Sequence, residues 1–290
     1  MDELNVSFKK MQNGYRLWTY TLLLAILAGV ITAILAGALC LVFFGIAVVA
    51  GVLMVRTQKK FKDFYVHNII GACVRECTFI EGISYETDKG IPGSIVADTG
   101  MIRTGTDISS NDLITGSYDG TEFAQSAVKI THTSGVGEDR SESTFFDGLW
   151  VSFELGRVPL GDLQIVSDKF RVDTQRKGFT KLSKDLLPNT AVGAKCFADT
   201  FTVYATSTEA ARSAVSGGLA SALMKLLEYN QRPIMLMVIG STVHLAMAGD
   251  GTAFEPSLKK GADLNGEKER IKAQLRAVTD FIAAAVASQL

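Results

Sequence analysis

The feature that most constrains this chain is an apolar run of 39 residues, Leu17 to Val55, that contains no charged side chain. As one α-helix the run would be roughly 58 Å long, because an α-helix rises about 1.5 Å per residue. The hydrocarbon core of a bilayer is only about 30 Å thick, so a single helix would leave nearly half of its apolar length in water. The length therefore favours two membrane-crossing helices, at residues 17–35 and 38–55.

Three small residues, Ala36-Gly37-Ala38, lie where these two predicted helices would turn. Gly37 readily adopts the backbone angles that end a helix. The same three residues also have the form of a signal-peptide cleavage site, but the apolar run before them is longer than a usual signal peptide has. Cleavage would leave a chain that begins with a second apolar segment, and Leu39 before Cys40 does not fit a lipoprotein site. We therefore predict a turn here and no cleavage.

Basic residues flank the apolar run on both sides, and positive charges close to a membrane span tend to stay in the cytoplasm. A hairpin places both groups on that side, whereas a single span cannot. The sequence thus predicts a cytoplasmic tail at residues 1–16, a transmembrane hairpin at 17–55 and a cytoplasmic domain at 56–290. The basic residues are Lys9, Lys10 and Arg16 before the run, and Arg56, Lys59, Lys60 and Lys62 after it. We assign the second group to fixing the topology and contacting anionic lipids.

Small residues recur at every fourth position of the first predicted helix, which makes a smooth strip along one side. In a membrane such a strip lets helix backbones approach closely. This pattern predicts contact between the two arms, or self-association into a homo-oligomer, although membrane helices are also rich in alanine and glycine in general. The strip consists of Ala25, Gly29, Ala33 and Gly37, and Ala47 and Gly51 of the second helix are placed to face it.

Residues 56–290 have the pattern of an α+β domain, an antiparallel sheet with packed helices. Phe61, Tyr65, Ile69, Cys73 and Cys77 recur every four residues, which indicates one buried face of a helix that continues from the second membrane helix. No βαβ alternation is present, so we predict antiparallel pairing.

Two hairpins are predicted around Asp119-Gly120 and Gly240-Ser241, which suit type I′ and type II′ turns respectively. The strands of these hairpins are 113–118 with 121–131, and 233–239 with 242–248; other strands are predicted at 148–155, 163–166 and 201–204. Residues 134–143 are polar and predict an exposed loop. Thr206 to Glu209 has the form of a capping box that opens a helix to about Tyr229, and Asn265 is predicted to cap a final helix.

The sequence contains no motif that identifies a catalytic, cofactor or metal site, so we assign no catalytic residue, cofactor or metal ligand. Cys73 and Cys77 are one helical turn apart, but a closed zinc site needs two further ligands, so they read as core residues. His67 lies about 120° around the helix from Cys73 and does not complete a site with the two cysteines. His132 and His244 have no acid or nucleophile at a recognisable spacing. The net charge of −1 argues against a nucleic-acid partner.

Several separated segments together resemble the bacterial domain-of-unknown-function family 3137 (DUF3137). The resemblance covers most of residues 60–260 and implies a protein of the bacterial cytoplasmic (inner) membrane with paired spans before a soluble domain. The family brings no established activity. The segments are Phe61–Tyr65, Leu113–Phe123 with Ser126, Thr144–Leu149 with Phe153, Phe201–Tyr204, Glu209–Arg212, Leu223–Leu227 and Phe254–Pro256.

The sequence is compatible with three functions. The first is a membrane-tethered, non-catalytic scaffold, sensor or assembly module that presents its cytoplasmic domain to an unidentified protein partner. The second is a membrane-anchored enzyme, of hydrolase type, that uses acidic residues of an unidentified site. The third is a pore formed by the hairpin, which the lack of charged residues in the arms disfavours. We favour the first, with the lipid bilayer as a further partner.

Overall fold

The computed structural model describes residues 2–35, 39–135, 140–168, 170, 178–216, 218–249, 254 and 263–288. The chain divides into two compact units. The helical unit comprises residues 1–73 and 253–271, and the sheet unit comprises residues 74–252 and 272–290.

Two long helices dominate the helical unit. Helix α1 runs from Asp2 to Leu35 and helix α2 from Cys40 to Tyr65. Residues 2–16, predicted only as a tail, are therefore helical, and the second helix extends ten residues past the predicted end of its apolar segment at Val55. The predicted turn at Ala36–Ala38 lies outside the described residues.

The second helix continues past Tyr65 in a π-helical segment, Val66–Ile70, and then in helix α3, Gly71–Glu76. The five residues spaced by four, from Phe61 to Cys77, are all buried, as predicted. Side chains four apart in an α-helix advance by about 40° at each step, so a run of five would drift about 160° around the helix. The wider π-helical turn reduces this drift, which keeps the row on one buried face.

Among the described residues, the sheet unit contains one sheet of nine strands, in the order β1-β2-β3-β4-β11-β10-β5-β9-β6, and all of these pairings are antiparallel. The predicted fold class is confirmed. The strands of this sheet are β1 Glu81–Glu86, β2 Asp107–Tyr118, β3 Thr121–Ser134, β4 Ser141–Glu154, β5 Leu163–Ser167, β6 Thr180–Lys181, β9 Phe201–Ala205, β10 Ile234–Ile239 and β11 Thr242–Ala248. A separate pair consists of β7 Ala191–Val192 and β8 Lys195–Cys196.

Helices connect and cover these strands. They are α4 Gly93–Asp98, a 3₁₀ turn at Lys184–Leu186, α5 Phe197–Thr200, α6 Thr208–Ser216, α7 Gly218–Asn230 and α8 Leu264–Ala287. Phe281 of α8 packs edge-on against Phe153 of β4, with ring centroids 6.2 Å apart. Trp150 lies on the other face of β4, where it is fully buried beside Met235 and Met237.

Both predicted hairpins are present, and their turns have the expected backbone. Asp119 and Gly120 both have positive φ, 49° and 75°, as a type I′ turn requires. At the second hairpin Gly240 has a φ of 56° while Ser241 is not in the positive region, as in a type II′ turn. The prediction of a loop at residues 134–143 was too long, because β3 and β4 stay paired out to Ser134 and Ser141.

The two predicted helix caps were wrong. Helix α6 begins at Thr208, and the Thr206 hydroxyl instead exchanges hydrogen bonds with the backbone of Asp162. In α8 the Asp263 carboxylate accepts the Gly266 N–H at 2.7 Å, so Asp263 is the cap and Asn265 lies inside the helix. An Asp two residues before Asn offers the same chemistry, and sequence alone does not choose between them.

Replacing Asp263 by Ala is expected to lower the free energy of unfolding by about 1 kcal/mol, because the Gly266 N–H loses its acceptor. The matched control, Asn265→Ala, is expected to change it by a few tenths of a kcal/mol at most. Thermal unfolding of the detergent-solubilised chain measures both. Equal losses in the two variants would contradict this cap assignment.

Candidate functional site

The two long helices form an antiparallel pair. Near their outer ends the rings of Phe8 and Phe61 lie 5.3 Å apart, and both side chains are buried. Further along, a Cβ placed on Gly29 would lie 3.5 Å from Cβ of Phe43. Contacts at these two levels fix the register of the pair over most of its length.

The small residues singled out in the sequence do not all lie in this contact. Ala25, Gly29 and Ala47 are buried and Gly51 is half-buried, whereas Ala33 is exposed. Gly37 lies outside the described residues. Sequence reasoning missed Ala50, which is 1% exposed and lies three residues after Ala47 on the same face. A Cβ on Gly29 or Gly51 would make only ordinary contacts, so neither position demands glycine. The packing role of the strip stays a prediction.

Large apolar side chains cover the rest of the helix pair and point away from it. Leu24, Ile34, Leu41 and Val48 are 65%, 78%, 71% and 67% exposed. Both helices are long and apolar enough to cross a membrane, by length and composition alone. An exposed apolar surface that continues over two helices marks a contact with lipid or with another protein.

A group of exposed cations lies beside this apolar surface, and we call it the basic belt. It consists of Lys9, Lys10, Arg56, Lys59, Lys60 and Lys62, all exposed; Arg16 is half-buried. Because Phe8 packs on Phe61, the lysines next to these two rings lie at one level of the helix pair. The structure thus brings together basic residues that are some fifty positions apart in the sequence.

A buried polar cluster ties α2 to the first turns of α8 within the helical unit. The Tyr65 hydroxyl donates to Oε2 of Glu267 at 2.8 Å, and Arg270 donates to the same oxygen at 2.7 Å and to the Tyr65 hydroxyl at 3.1 Å. Tyr65 and Glu267 are 0% and 3% exposed. Burial raises the pKa of Tyr65, so its phenol stays protonated and remains the donor. Burial opposes the charge of Arg270, but its two partners leave its pKa raised.

Two of the cysteines and two of the histidines pack against other side chains. Cys73 and Cys77 are buried on the helix face, and burial raises the pKa of the Cys77 thiol. His132 stacks on Phe145 with centroids 5.5 Å apart, and His244 is buried beside Trp150. Among the described residues, no three His, Cys, Asp or Glu side chains are grouped to hold a metal ion.

The sheet unit contains an open cleft of about 740 Å³ where β5 ends and α7 ends. Met224, Leu227 and Pro233 supply apolar lining. Charged side chains of both signs line the same cleft: Asp168, Asp199, Glu228, Lys195 and Arg232. Asp199 also forms an exposed ion pair with Lys184, at 3.6 Å. Sequence reasoning did not find this cleft, because its residues come from three separate parts of the chain, 167–168, 192–200 and 224–233, and share no motif.

Comparison with known proteins was informative at the level of the family. Residues 144–284 match the family described as "Protein of unknown function (DUF3137)". The resemblance inferred from the sequence is therefore confirmed, but the matched residues are 144–284 and not most of residues 60–260. Of the segments quoted for it, Phe61–Tyr65 and Leu113–Phe123 lie before the matched stretch.

Other comparisons add little. No curated protein matches the chain. A solved structure, the mycobacterial trehalose monomycolate transport factor A (TtfA), is 11% identical, covers 73% of this chain and 92% of its own, and superposes with a TM-score of 0.38. At that identity and score the similarity carries no argument about function.

Removing the carboxylate of Glu267 is expected to destabilise the chain, because Arg270 and the Tyr65 hydroxyl then lose their shared partner. Breaking a fully buried ion pair costs about 3–5 kcal/mol, and since the Arg270 side chain is 38% exposed we expect about 2–3 kcal/mol for Glu267→Ala.

The matched control replaces both charges, as Glu267→Met with Arg270→Met. The apolar pair leaves no uncompensated charge but removes both of these partners from the buried Tyr65 hydroxyl, so its melting temperature is expected to lie between those of Glu267→Ala and the wild type. Thermal unfolding in detergent compares the three chains. A double variant less stable than Glu267→Ala would show that the cluster contributes more than mutual neutralisation.

Proposed function

We propose that this chain is a membrane-tethered, non-catalytic module whose helix pair anchors it in a bacterial cytoplasmic membrane and whose sheet domain meets a protein partner in the cytoplasm. The observation that carries the proposal is the outward-facing apolar surface of α1 and α2. Among the described residues, eighteen large apolar residues from Leu17 to Val55 are exposed, seventeen of them on α1 and α2. A bilayer removes this surface from water, at roughly 25 cal/mol for each Å² of apolar area.

The basic belt supports the orientation. Both groups of cations lie at the open end of the helix pair, so a hairpin inserted with its connection in the bilayer or on its far side keeps all of them on one side. Positive charges beside short spans are retained in the cytoplasm. Anionic lipid headgroups attract each basic residue near the surface by about 1 kcal/mol. Both termini then face the cytoplasm.

The cleft of the sheet unit supports a binding role. Leu227 and Pro233 are half-buried apolar residues at its lining, and charged residues of both signs surround them. A partly apolar centre with a polar rim is the usual anatomy of a protein interface. Binding there requires no covalent chemistry, which agrees with the lack of a catalytic motif in the sequence.

The topology is tested by reversing the charge of the belt. We expect tags at both ends of the wild-type chain to be cleaved by protease only from the cytoplasmic side of sealed membrane vesicles. The triple variant Lys59→Glu, Lys60→Glu, Lys62→Glu is expected to place a substantial fraction of chains in the inverted orientation, because about 3 kcal/mol of attraction becomes repulsion.

The control for this experiment reverses three exposed lysines of the sheet unit, Lys129, Lys181 and Lys195, and should leave the orientation unchanged. Protection of one tag and cleavage of the other in the wild type would refute the hairpin. If the belt variant keeps the wild-type orientation, the basic belt does not determine the topology.

The partner role is tested by quantitative crosslinking in native membranes. Leu227→Glu places a charge in the cleft, and we expect it to reduce the yield of a fixed-stoichiometry crosslinked complex at least about tenfold. Tyr229→Glu, an exposed change two residues along the same helix but outside the cleft lining, should not. A complex equally abundant in all three chains places the interface elsewhere, and absence of any complex in the wild type contradicts a scaffold.

A second candidate, a membrane-anchored hydrolase, is favoured by one observation: three carboxylates, Asp168, Asp199 and Glu228, line the same cleft. General acid–base catalysis uses such groups when two of them converge on a substrate. Hydrolysis of an ester, amide or phosphoester panel that is lost in Glu228→Gln, with the fold retained, would establish the enzyme and overturn the non-catalytic assignment.

A further inference from the structure

A second, smaller cavity lies in the sheet unit, next to the cleft but on the strand face that carries Gln164. It has a volume of about 280 Å³. Its described lining residues are Gln164, Val166, Ser167, Asp168, Phe170, Thr202 and Tyr204. The register places them together: Gln164 of β5 pairs with Tyr204 of β9, and Val166 pairs with Thr202.

Gln164 is the unusual member of this set, because it is a fully buried amide within a strand. Its Nε2 donates to the sulfur of Met235 at 3.3 Å. A thioether accepts a hydrogen bond but cannot donate one, so this contact turns the amide oxygen the other way. Among the described residues Oε1 has no hydrogen-bond partner. A buried polar atom left in this state destabilises the fold, and a bound donor would remove that cost.

The other lining residues determine which further chemical groups a ligand with such a donor should carry. Among the described residues the exposed Asp168 carboxylate accepts a long hydrogen bond from Thr202, 3.5 Å, and it brings negative charge to the lining of the cavity. A cation is therefore the complementary group at that end. The Phe170 ring is held by stacking on Phe146, with centroids 6.2 Å apart and planes inclined by 22°, and offers a flat apolar wall.

We propose that this cavity binds a small protonated amine that carries a second, neutral N–H or O–H donor: the ammonium group pairs with Asp168, the neutral donor with Oε1 of Gln164, and an apolar portion lies against Phe170. The space equals about nine water molecules, at roughly 30 Å³ each, which suits a ligand of the size of an amino-acid derivative. The pairing of β5 with β9 holds the lining residues in place, so ligand binding does not require the membrane anchor. Such binding adds a sensing role to the protein.

The probe for the test is phenylalaninamide, which contains an ammonium group, a carboxamide N–H and an aromatic ring. Titration calorimetry on the full-length chain in nanodiscs is expected to show saturable binding with a Kd in the millimolar range or tighter. 3-Phenylpropionamide lacks only the amine and is expected to bind at least about tenfold more weakly, since it leaves Asp168 unpaired.

Two variants separate the proposal from a structural role of the same residues. Gln164→Leu removes the unpaired amide and is expected to keep or raise the melting temperature while weakening binding at least about tenfold. Its matched control is Gln125→Leu, a change of another fully buried strand glutamine whose amide atoms have no partner among the described residues and which does not line this cavity. That control should keep binding intact.

Asp168→Asn is expected to weaken phenylalaninamide at least about tenfold and to leave 3-phenylpropionamide unchanged, whereas Asp280→Asn, on the exposed side of α8, should change neither. No binding to the wild type up to about 10 mM would overturn the proposal and assign the cavity to water. Equal affinity of the two probes, or unaltered binding in Gln164→Leu, would also overturn it. None of these results depends on topology or on a protein partner.

Discussion

The helices and the sheet of this protein solve one physical problem in two ways: apolar surface must be removed from water. In the sheet unit the chain does this itself, by packing Trp150, Met235 and Met237 on one side and Phe153 against Phe281 on the other. In the helical unit it does not, because α1 and α2 bury only a narrow strip between them and leave their larger apolar side chains exposed. The proposed anchor follows from that difference, since a bilayer is the apolar environment that the helices lack.

Buried polar groups have two different roles in this protein. Three hydrogen bonds link Tyr65, Glu267 and Arg270, so the cluster fixes α8 against α2 inside the helical unit. Gln164 differs, because one end of its amide is paired with Met235 and the other is not. Gln164 also lines a cavity, and an unsatisfied buried atom beside a cavity has an energetic cost that a bound ligand can remove.

The same basic residues support both the proposed topology and the proposed contact with anionic lipid. Lys9 and Lys10 are separated from Lys59, Lys60 and Lys62 by the whole apolar run, yet the packing of Phe8 on Phe61 brings them to one level. Their exposure leaves them available to headgroups. In the proposed arrangement the belt both orients the hairpin and holds it against an anionic surface.

By itself the sequence determined those features that depend on local patterning. Apolar length predicted two helices, the four-residue spacing from Phe61 to Cys77 predicted one buried face, and Asp119-Gly120 and Gly240-Ser241 predicted two hairpins, because each is dictated by neighbouring residues. Only the tertiary structure decided the caps, the π-helical turn after Tyr65, the pairing of Tyr65 with Glu267 and the grouping of Gln164 with Asp168 and Thr202. Those choices depend on contacts between residues far apart in the chain, and no local pattern encodes which of several chemically equivalent partners will meet.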